Sequence, residues 1–382
     1  MMRSYEGDGE AALALCQQAQ ALLRADNVGV RTHIAATKLF ASYASSANDA
    51  AAAVQMGLQA ASLSEAAGHT AQAISLMGTT AMHMIGTGRL HQTQQLTQQA
   101  ILLGNKPGAF VLPAVGWSIA WQAEVLREWN QLEAARSLVE EAIQLCEQLE
   151  SPLSFVVLHS GYAMLLRVCL SRGELDEARS ALQEVERLGS SMNQPHLLHF
   201  RSLFTTIDQV RLWLVCGELD RATRWVEELD IRERHGSPFA HEREEVACGR
   251  VLLAQRQPAL ALQRLSPVLQ RAVKGQRWGH VIEIRLLQAL AYQMGQQERQ
   301  ALDVLSEAVH KAEPEGYIRS FVDEGAPMET LLSQLRQERG KAGPTPYLDT
   351  VLAAFPQQSN VQKRQFKRTR RHASRLKGYQ TP

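Results

Sequence analysis

The stretch Gly173-Glu-Leu-Asp-Glu-Ala178 returns further along the chain as Gly217-Glu-Leu-Asp-Arg-Ala222. Looser copies stand at Gly88-Arg-Leu-His-Gln-Thr93, Asn130-Gln-Leu-Glu-Ala-Ala135 and Gly295-Gln-Gln-Glu-Arg-Gln300. The starts at 88, 130, 173 and 217 lie 42, 43 and 44 residues apart. A repeat of this period is typical of helical arrays, in which each unit stacks on its neighbours. The repeat therefore decides the fold class.

Each copy reads as a tight turn followed by the start of a helix. Gly173 suits the turn because it has no Cβ atom, and the acids after it suit the positive N-terminal end of a helix. The residues that follow form one apolar stripe at helical spacing, namely Leu175, Ala178, Leu182, Val185 and Leu188. An earlier apolar helix, with positions from Phe155 to Cys169, supplies the partner, and the small Ala178 lets the two helices approach closely.

Extending this repeat period in both directions places turns or helix starts near residues 7, 46, 88, 130, 173, 217, 256 and 295. The chain is rich in Ala, Leu, Gln and Glu and only 6% aromatic, which favours helix and leaves little material for a sheet core. We therefore predict an all-α, right-handed superhelical solenoid of about eight antiparallel helix pairs, similar to tetratricopeptide arrays but with a period of about 40–44 residues. The first pair would lack its first helix, which suggests a piece of something longer.

The character of the sequence changes after the array, which we place at residues 1–313. Residues 314–356 are predicted to close it, with a short helix from Pro327 to Leu335 and an amphipathic helix from Tyr347 to Phe355. Residues 357–382 form a basic tail, predicted to be disordered, with eight Lys or Arg and no acid between 361 and 382. The formal net charge of the chain is +1, so the residues before this tail carry a small net negative charge.

Two stretches near the end of the array carry a family resemblance. They are Glu313-Pro-Glu-Gly-Tyr-Ile-Arg-Ser-Phe-Val-Asp-Glu-Gly-Ala-Pro-Met-Glu-Thr-Leu-Leu332 and Tyr347-Leu-Asp-Thr-Val-Leu-Ala-Ala-Phe355. Together they resemble the end of the helical sensor region of the large ATP-binding LuxR-family transcriptional activators, the MalT-like group. The resemblance covers about residues 7–355. Two parts of those proteins are absent: no GxxxxGK[ST] phosphate loop occurs, and too few residues follow Phe355 for a helix-turn-helix domain.

The resemblance implies a non-enzymatic module that senses a signal, with an inducer or a protein partner bound in the superhelix groove and with self-association as a further outcome. The alternative is a general tetratricopeptide-type adaptor that binds peptides or proteins. The basic tail adds at most weak, sequence-independent contact with nucleic acid. The adjacent Asp323 and Glu324 resemble a carboxylate pair, but neighbouring side chains on a turn diverge, and the family resemblance implies that both are structural.

The candidate groove residues are Trp117 and Trp121, which lie four positions apart on one helical face. Their alternative role is packing between repeats. No catalytic arrangement and no cofactor motif rises above chance spacing, and His196 with His199 lacks the further ligands of a metal site. Five cysteines without a CxxC motif indicate reduced, packed thiols. With no apolar stretch long enough to span a bilayer, we expect a cytoplasmic protein without membrane contact.

Overall fold

The computed structural model describes residues 9–22, 30–31, 34, 37–38, 50–105, 113–147, 152–191, 195–231, 238–340 and 343–356. Within these ranges the chain forms seventeen α-helices, one 3-10 turn and no strand. The helices are α1 Gly9–Leu22, α2 Ala50–Ala66, α3 Thr70–Gly86, α4 Leu90–Gly104, α5 Pro113–Glu128, α6 Leu132–Glu147, α7 Pro152–Arg172, α8 Leu175–Ser191, α9 Pro195–Val215, α10 Leu219–Ile231, α11 Pro238–Ala254, α12 Pro258–Lys274, α13 Trp278–Met294, α14 Glu298–Ala312, α15 Arg319–Val322, α16 Ala326–Gly340 and α17 Pro346–Ala353.

The array has two layers of helices. The odd-numbered helices from α3 to α13 contact one another in sequence and form the inner layer, while α4, α6, α8, α10 and α12 each contact the inner helices on both sides. Inner helices such as α7, with the sequence PLSFVVLHSGYAMLLRVCLSR, are apolar around most of their circumference. Outer helices such as α8 carry one apolar stripe and a charged opposite face. This difference follows burial, because a helix packed on several sides needs more than one apolar face.

Every described turn from an inner to an outer helix uses a left-handed residue. These residues are Gly88, Asn130, Gly173, Gly217, Arg256 and Gln296. At each turn, the amide of the next residue donates to a carbonyl five positions earlier, as from Glu174 to Cys169 at 2.9 Å. This bond is the helix-ending motif that a left-handed residue permits. The predicted helical-repeat fold is thereby confirmed, with the turn predicted at 295 shifted to 296; the right-handed sense of the superhelix stays a prediction.

The predicted contact between α7 and α8 is present, with one correction. Ala178 is fully buried in a cluster with Cys169, as the close approach of the two helices requires. Phe155, which was expected to face the partner helix, is instead 44% exposed. It lies in the first turn of α7.

The array curves until its early and late repeats touch. Helix α3 contacts α13, and the amide of Ala50 donates to the carbonyl of Gly275 at 3.2 Å. A Cβ atom on Gly279 would lie 2.5 Å from the carbonyl oxygen of Ile85. Glycine is therefore required at this position, because the backbones of the two repeats meet there.

The residues after α14 return across the C-terminal ends of the inner helices. We call residues 313–325 the closing segment; it contains the 3-10 turn Glu313–Glu315 and α15. The amide of Ile318 donates to the carbonyl of Glu128 at 2.9 Å, and Trp129 Nε1 donates to the carbonyl of Glu315 at 2.9 Å. Helices α16 and α17 then pack with α14 and α15 around Phe321. The predicted closing helices run from Ala326 to Gly340 and from Pro346 to Ala353, so the first is longer and the second shorter than expected.

Candidate ligand site inside the superhelix

One register position of the inner helices faces the inside of the superhelix. The residue six positions before the left-handed turn residue lines a common cavity in five successive repeats: Met82, Glu124, Arg167, Arg211 and Arg250. Four of these five residues are charged. The same spacing that builds the repeat therefore places charged groups from four inner helices around one axis.

This axial cavity has a volume of about 140 Å³. One water needs roughly 10–15 Å³ on this scale, so the space holds on the order of ten waters or one small ligand. Six arginines line it, namely Arg127, Arg167, Arg211, Arg243, Arg250 and Arg277. Trp121, Met82 and Ile85 provide apolar wall, and the closing segment contributes Tyr317, Ser320 and Glu324.

One ion-pair cluster joins α5, α7 and α9. Arg127 Nε donates to Glu124 Oε2 at 2.9 Å, and Arg167 Nη1 donates to Glu124 Oε1 at 2.8 Å. Arg167 also donates through Nε and Nη2 to Asp208 Oδ2, at 2.9 and 2.8 Å. Burial alone would raise the pKa of Glu124, but Arg127 and Arg167 outweigh it and lower that pKa to about 2. Glu124 is therefore ionised at neutral pH.

A second cluster joins α11, α13 and the closing segment. Arg250 Nη2 donates to Glu283 Oε1 at 3.1 Å, and Arg243 Nη1 donates to Glu283 Oε2 at 3.0 Å. Arg250 Nη1 reaches Glu324 at 2.8 Å. Burial raises the pKa of Glu283, yet Arg243 and Arg250 more than compensate and hold it below its usual range. Burial, reinforced by Arg243 and Arg277, lowers the pKa of the neighbouring His280 well below its usual value, so this imidazole is neutral at pH 7.

Asp323 connects the closing segment to the inner helices. Its carboxylate accepts from Arg127 Nη1 at 3.1 Å, pairs with Arg211 Nη2 at 3.4 Å and pairs with Arg319. It also accepts from Ser171 Oγ at 2.7 Å. Asp323 thus neutralises arginines from α5, α9 and α15 at a position that is 4% exposed.

Glu128 provides a second connection to the closing segment. Its carboxylate pairs with Arg127 and accepts from the amide and the hydroxyl of Ser320, both at 3.0 Å. Burial, together with the nearby charges of Glu124 and Asp323, raises the pKa of Glu128 despite Arg127. The neighbouring Asp323 and Glu324 bind different arginines, so the two side chains diverge as expected and do not form a dyad.

The structure separates the two tryptophans proposed for the groove. Trp121 lines the axial cavity, whereas Trp117 does not. A methyl group placed on Gly78 would lie 3.3 Å from Trp117 Cδ1, so this indole packs directly against α3. Both side chains are buried in the same core cluster. A ligand-binding role for the pair stays a prediction, and Trp121 is the member placed to contribute to it.

The remaining candidates lie elsewhere. His196 and His199 stand on α9, but their side chains and the basic tail at 357–382 lie outside the described residues. Among the described residues, no three His, Cys, Asp or Glu side chains are grouped so that they could hold a metal ion. The five cysteines are free thiols, and burial raises the pKa of Cys146 to about 12. None of the described helices has both the length and the apolar character needed to cross a membrane.

Comparison with known families agrees with this architecture. The model of the MalT-like TPR region matches residues 1–338 of the 382-residue chain. The chain belongs to the MalT-like TPR family. At family level it is a sensor or protein-interaction module with a scaffold-type fold, and this agrees with the resemblance to LuxR-family regulators.

Sequence reasoning missed most of the charged residues of this MalT-like TPR cavity. It singled out Trp117 and Trp121 because they lie on one helical face, while arginines and glutamates on amphipathic helices resemble a solvated face. The signal was nevertheless present, because inner helices are otherwise apolar. Glu124, Arg167, Arg211 and Arg250 are charges in apolar surroundings at one fixed offset from the turn. Aligning the repeats on their turn residues and comparing the charged positions, as well as the apolar ones, would have found them.

Proposed function

We propose that this MalT-like TPR chain senses a small ligand bound in the axial cavity. The observation that carries the proposal is the cavity itself, an interior space of about 140 Å³ lined by residues of several inner helices and of the closing segment. Interior clefts with a few convergent polar groups are the usual form of small-molecule sites. We assign no catalytic role to the chain, and its free thiols support a reducing compartment, which agrees with a cytoplasmic location.

The ligand would act by stabilising closure of the superhelix. It would contact the inner helix α3 through Met82, the inner helices α7 and α9 through Arg167 and Arg211, and the closing segment through Tyr317. A ligand that contacts all three groups binds the closed form better than an open one and so increases its population. The change in population would then alter contact with a protein partner or a second copy of the chain.

A small-molecule site is favoured over a peptide groove by the course of the closing segment. Residues 318–324 already contact the C-terminal ends of α5, α7, α9 and α11, where a bound peptide would otherwise find open helix ends. The adaptor alternative therefore requires a different surface, and it predicts that filling the axial cavity has no effect on binding.

The test is a thermal-shift screen of the purified chain against glucose, sucrose, succinate, inorganic phosphate and inorganic pyrophosphate. The comparison variant is Met82→Trp, which fills the cavity from α3, and Met294→Trp is the control because it makes the same change away from the cavity. We expect at least one probe to raise the melting temperature of the wild type and of Met294→Trp but not of Met82→Trp. A shift that survives in Met82→Trp, or no shift with any probe, contradicts the proposal.

A further inference from the structure

Most carboxylate oxygens around the axial cavity are already engaged. Both oxygens of Glu283 accept from arginines, and both oxygens of Glu124 do so as well. Glu128 uses both of its oxygens on Ser320. Asp208 accepts two bonds from Arg167. A ligand that enters this space therefore finds carboxylates whose hydrogen-bonding capacity is largely used within the protein.

Donor groups remain available around the same space. The Nε of Arg250 and the hydroxyl of Tyr317 are buried and have no hydrogen-bond partner among the described residues. Arg211 contacts Asp323 only at 3.4 Å, the longest of the ion pairs that involve the arginines lining the cavity. Arg243 makes its ion pair with Glu283 through one terminal nitrogen. An arginine side chain has five N–H donors and no acceptor, so this cavity has spare donors.

Unpartnered buried donors are costly, at about 1–3 kcal/mol each. They indicate a missing acceptor when they line a cavity of sufficient size. A neutral polyol would bring as many donors as acceptors, and its hydroxyl hydrogens would face carboxylates that are already engaged. An oxyanion brings acceptors alone, and its bonds to guanidinium groups are short and charge-assisted.

Resting on the proposed function, we propose that the ligand is a small organic oxyanion whose carboxylate or phosphate group binds Arg211, Arg243, Arg250 and Tyr317. The limited volume restricts it to about the size of a short carboxylic acid or a small phosphate ester. Trp121, Met82 and Ile85 form the apolar part of the wall and would contact its carbon skeleton.

The surroundings of His280 agree with this assignment. Arg243, Arg277 and Arg167 all act on this imidazole, and Glu283 is the acid that opposes them. Six arginines and five acids line the cavity, so the formal charge of its wall is positive by one, and the neutral imidazole adds no charge. Such a potential attracts anions and increases their rate of entry.

The experiment measures binding of succinate, inorganic phosphate and glucose 6-phosphate to the full chain by calorimetry, with glucose as the uncharged comparison. Tyr317→Phe removes only a hydroxyl that has no partner, so it should leave folding intact and weaken oxyanion binding about tenfold. Tyr162→Phe is the matched control, because its hydroxyl donates to Glu147 outside the cavity. Arg211→Gln should weaken binding by at least about tenfold.

The outcomes separate this inference from the proposed function. Binding of succinate alone identifies a carboxylate, and binding of either phosphate compound alone identifies a phosphate; both support the inference if Tyr317→Phe weakens them. Glucose binding without any anion binding overturns the inference and leaves the proposed sensing role in place. Anion binding that is unchanged in both Tyr317→Phe and Arg211→Gln also overturns it, as does the absence of binding by all three anions at about 10 mM, a concentration that stabilises any site with a submillimolar Kd.

Discussion

Replacing Asp323 with asparagine tests how the closing segment is held in place. The carboxylate of Asp323 is buried and faces three arginines, Arg127, Arg211 and Arg319. Asp323→Asn keeps the shape but leaves these cations with one negative charge fewer. Removing one partner of a buried ion pair costs about 3–5 kcal/mol, and we expect a loss of free energy of unfolding in that range at pH 7.

The pH dependence provides a second measurement of the same effect. Burial alone would raise the pKa of Asp323, but Arg211, Arg319 and Arg127 outweigh burial and lower it. A carboxyl whose folded pKa is lowered contributes stability that is complete above its unfolded value of about 3.9 and is lost as the pH falls through the folded value. The wild type and Asp323→Asn should therefore differ most near neutral pH, and the difference should shrink as the pH falls below about 4.

Urea unfolding followed by circular dichroism measures the difference, and Asp220→Asn is the matched control. Asp220 is exposed in the first turn of α10, where the lost charge costs about 0.3–1 kcal/mol through the helix dipole. The ion-pair account of the closing segment is refuted if Asp323→Asn lowers the free energy of unfolding by less than about 1 kcal/mol. It is also refuted if the difference in free energy between wild type and variant is the same at pH 7 and pH 3.

Three further changes test the packing of the array. Gly279→Ala should lower the free energy of unfolding by about 1–3 kcal/mol and increase amide hydrogen exchange at the junction of α3 and α13, because its Cβ would meet a carbonyl oxygen at 2.5 Å. Gly340→Ala, with open space around its Cβ, should have neither effect. Ala178→Asp should lower the melting temperature measured by circular dichroism, because it buries an unpaired charge between α7 and α8; equal melting of Ala178→Asp and the exposed Ser180→Asp would show that the repeat frame is wrong. Gln296→Gly should raise the unfolding free energy by up to about 1 kcal/mol, because its φ of 59° favours glycine; a lower value in urea unfolding would contradict the account of the turn.

The turns and helix pairs could be predicted because they depend on local sequence. Gly173 and Gly217 adopt the left-handed conformation that their type favours, and the same frame located Asn130 without a glycine to mark it. Local chemistry decides such a turn, since the hydrogen bonds that end a helix span only a few residues. The position of each inner helix followed from the turns.

The closure and the ion pairs could not be predicted in the same way. Whether Gly279 meets Ile85 depends on the small rotation between neighbouring repeats, added over five of them. No single stretch of sequence determines the total rotation between the first and the last of these repeats. The choice of Asp323 as the partner of Arg127, from a distance of 196 residues along the chain, depends on the same geometry.

The return of the closing segment sets an order of events during synthesis. Arg127 leaves the ribosome 196 residues before Asp323, and Glu128 leaves it 192 residues before Ser320. At typical synthesis rates of about 5–20 residues per second, roughly 10–40 s pass between the synthesis of these inner side chains and that of their partners. Throughout that interval Arg127 lacks its pair with Asp323, and Glu124 and Glu128 beside it are available as its ion-pair partners. Chaperones or anions present at the ribosome would meet Arg127 before Asp323 does.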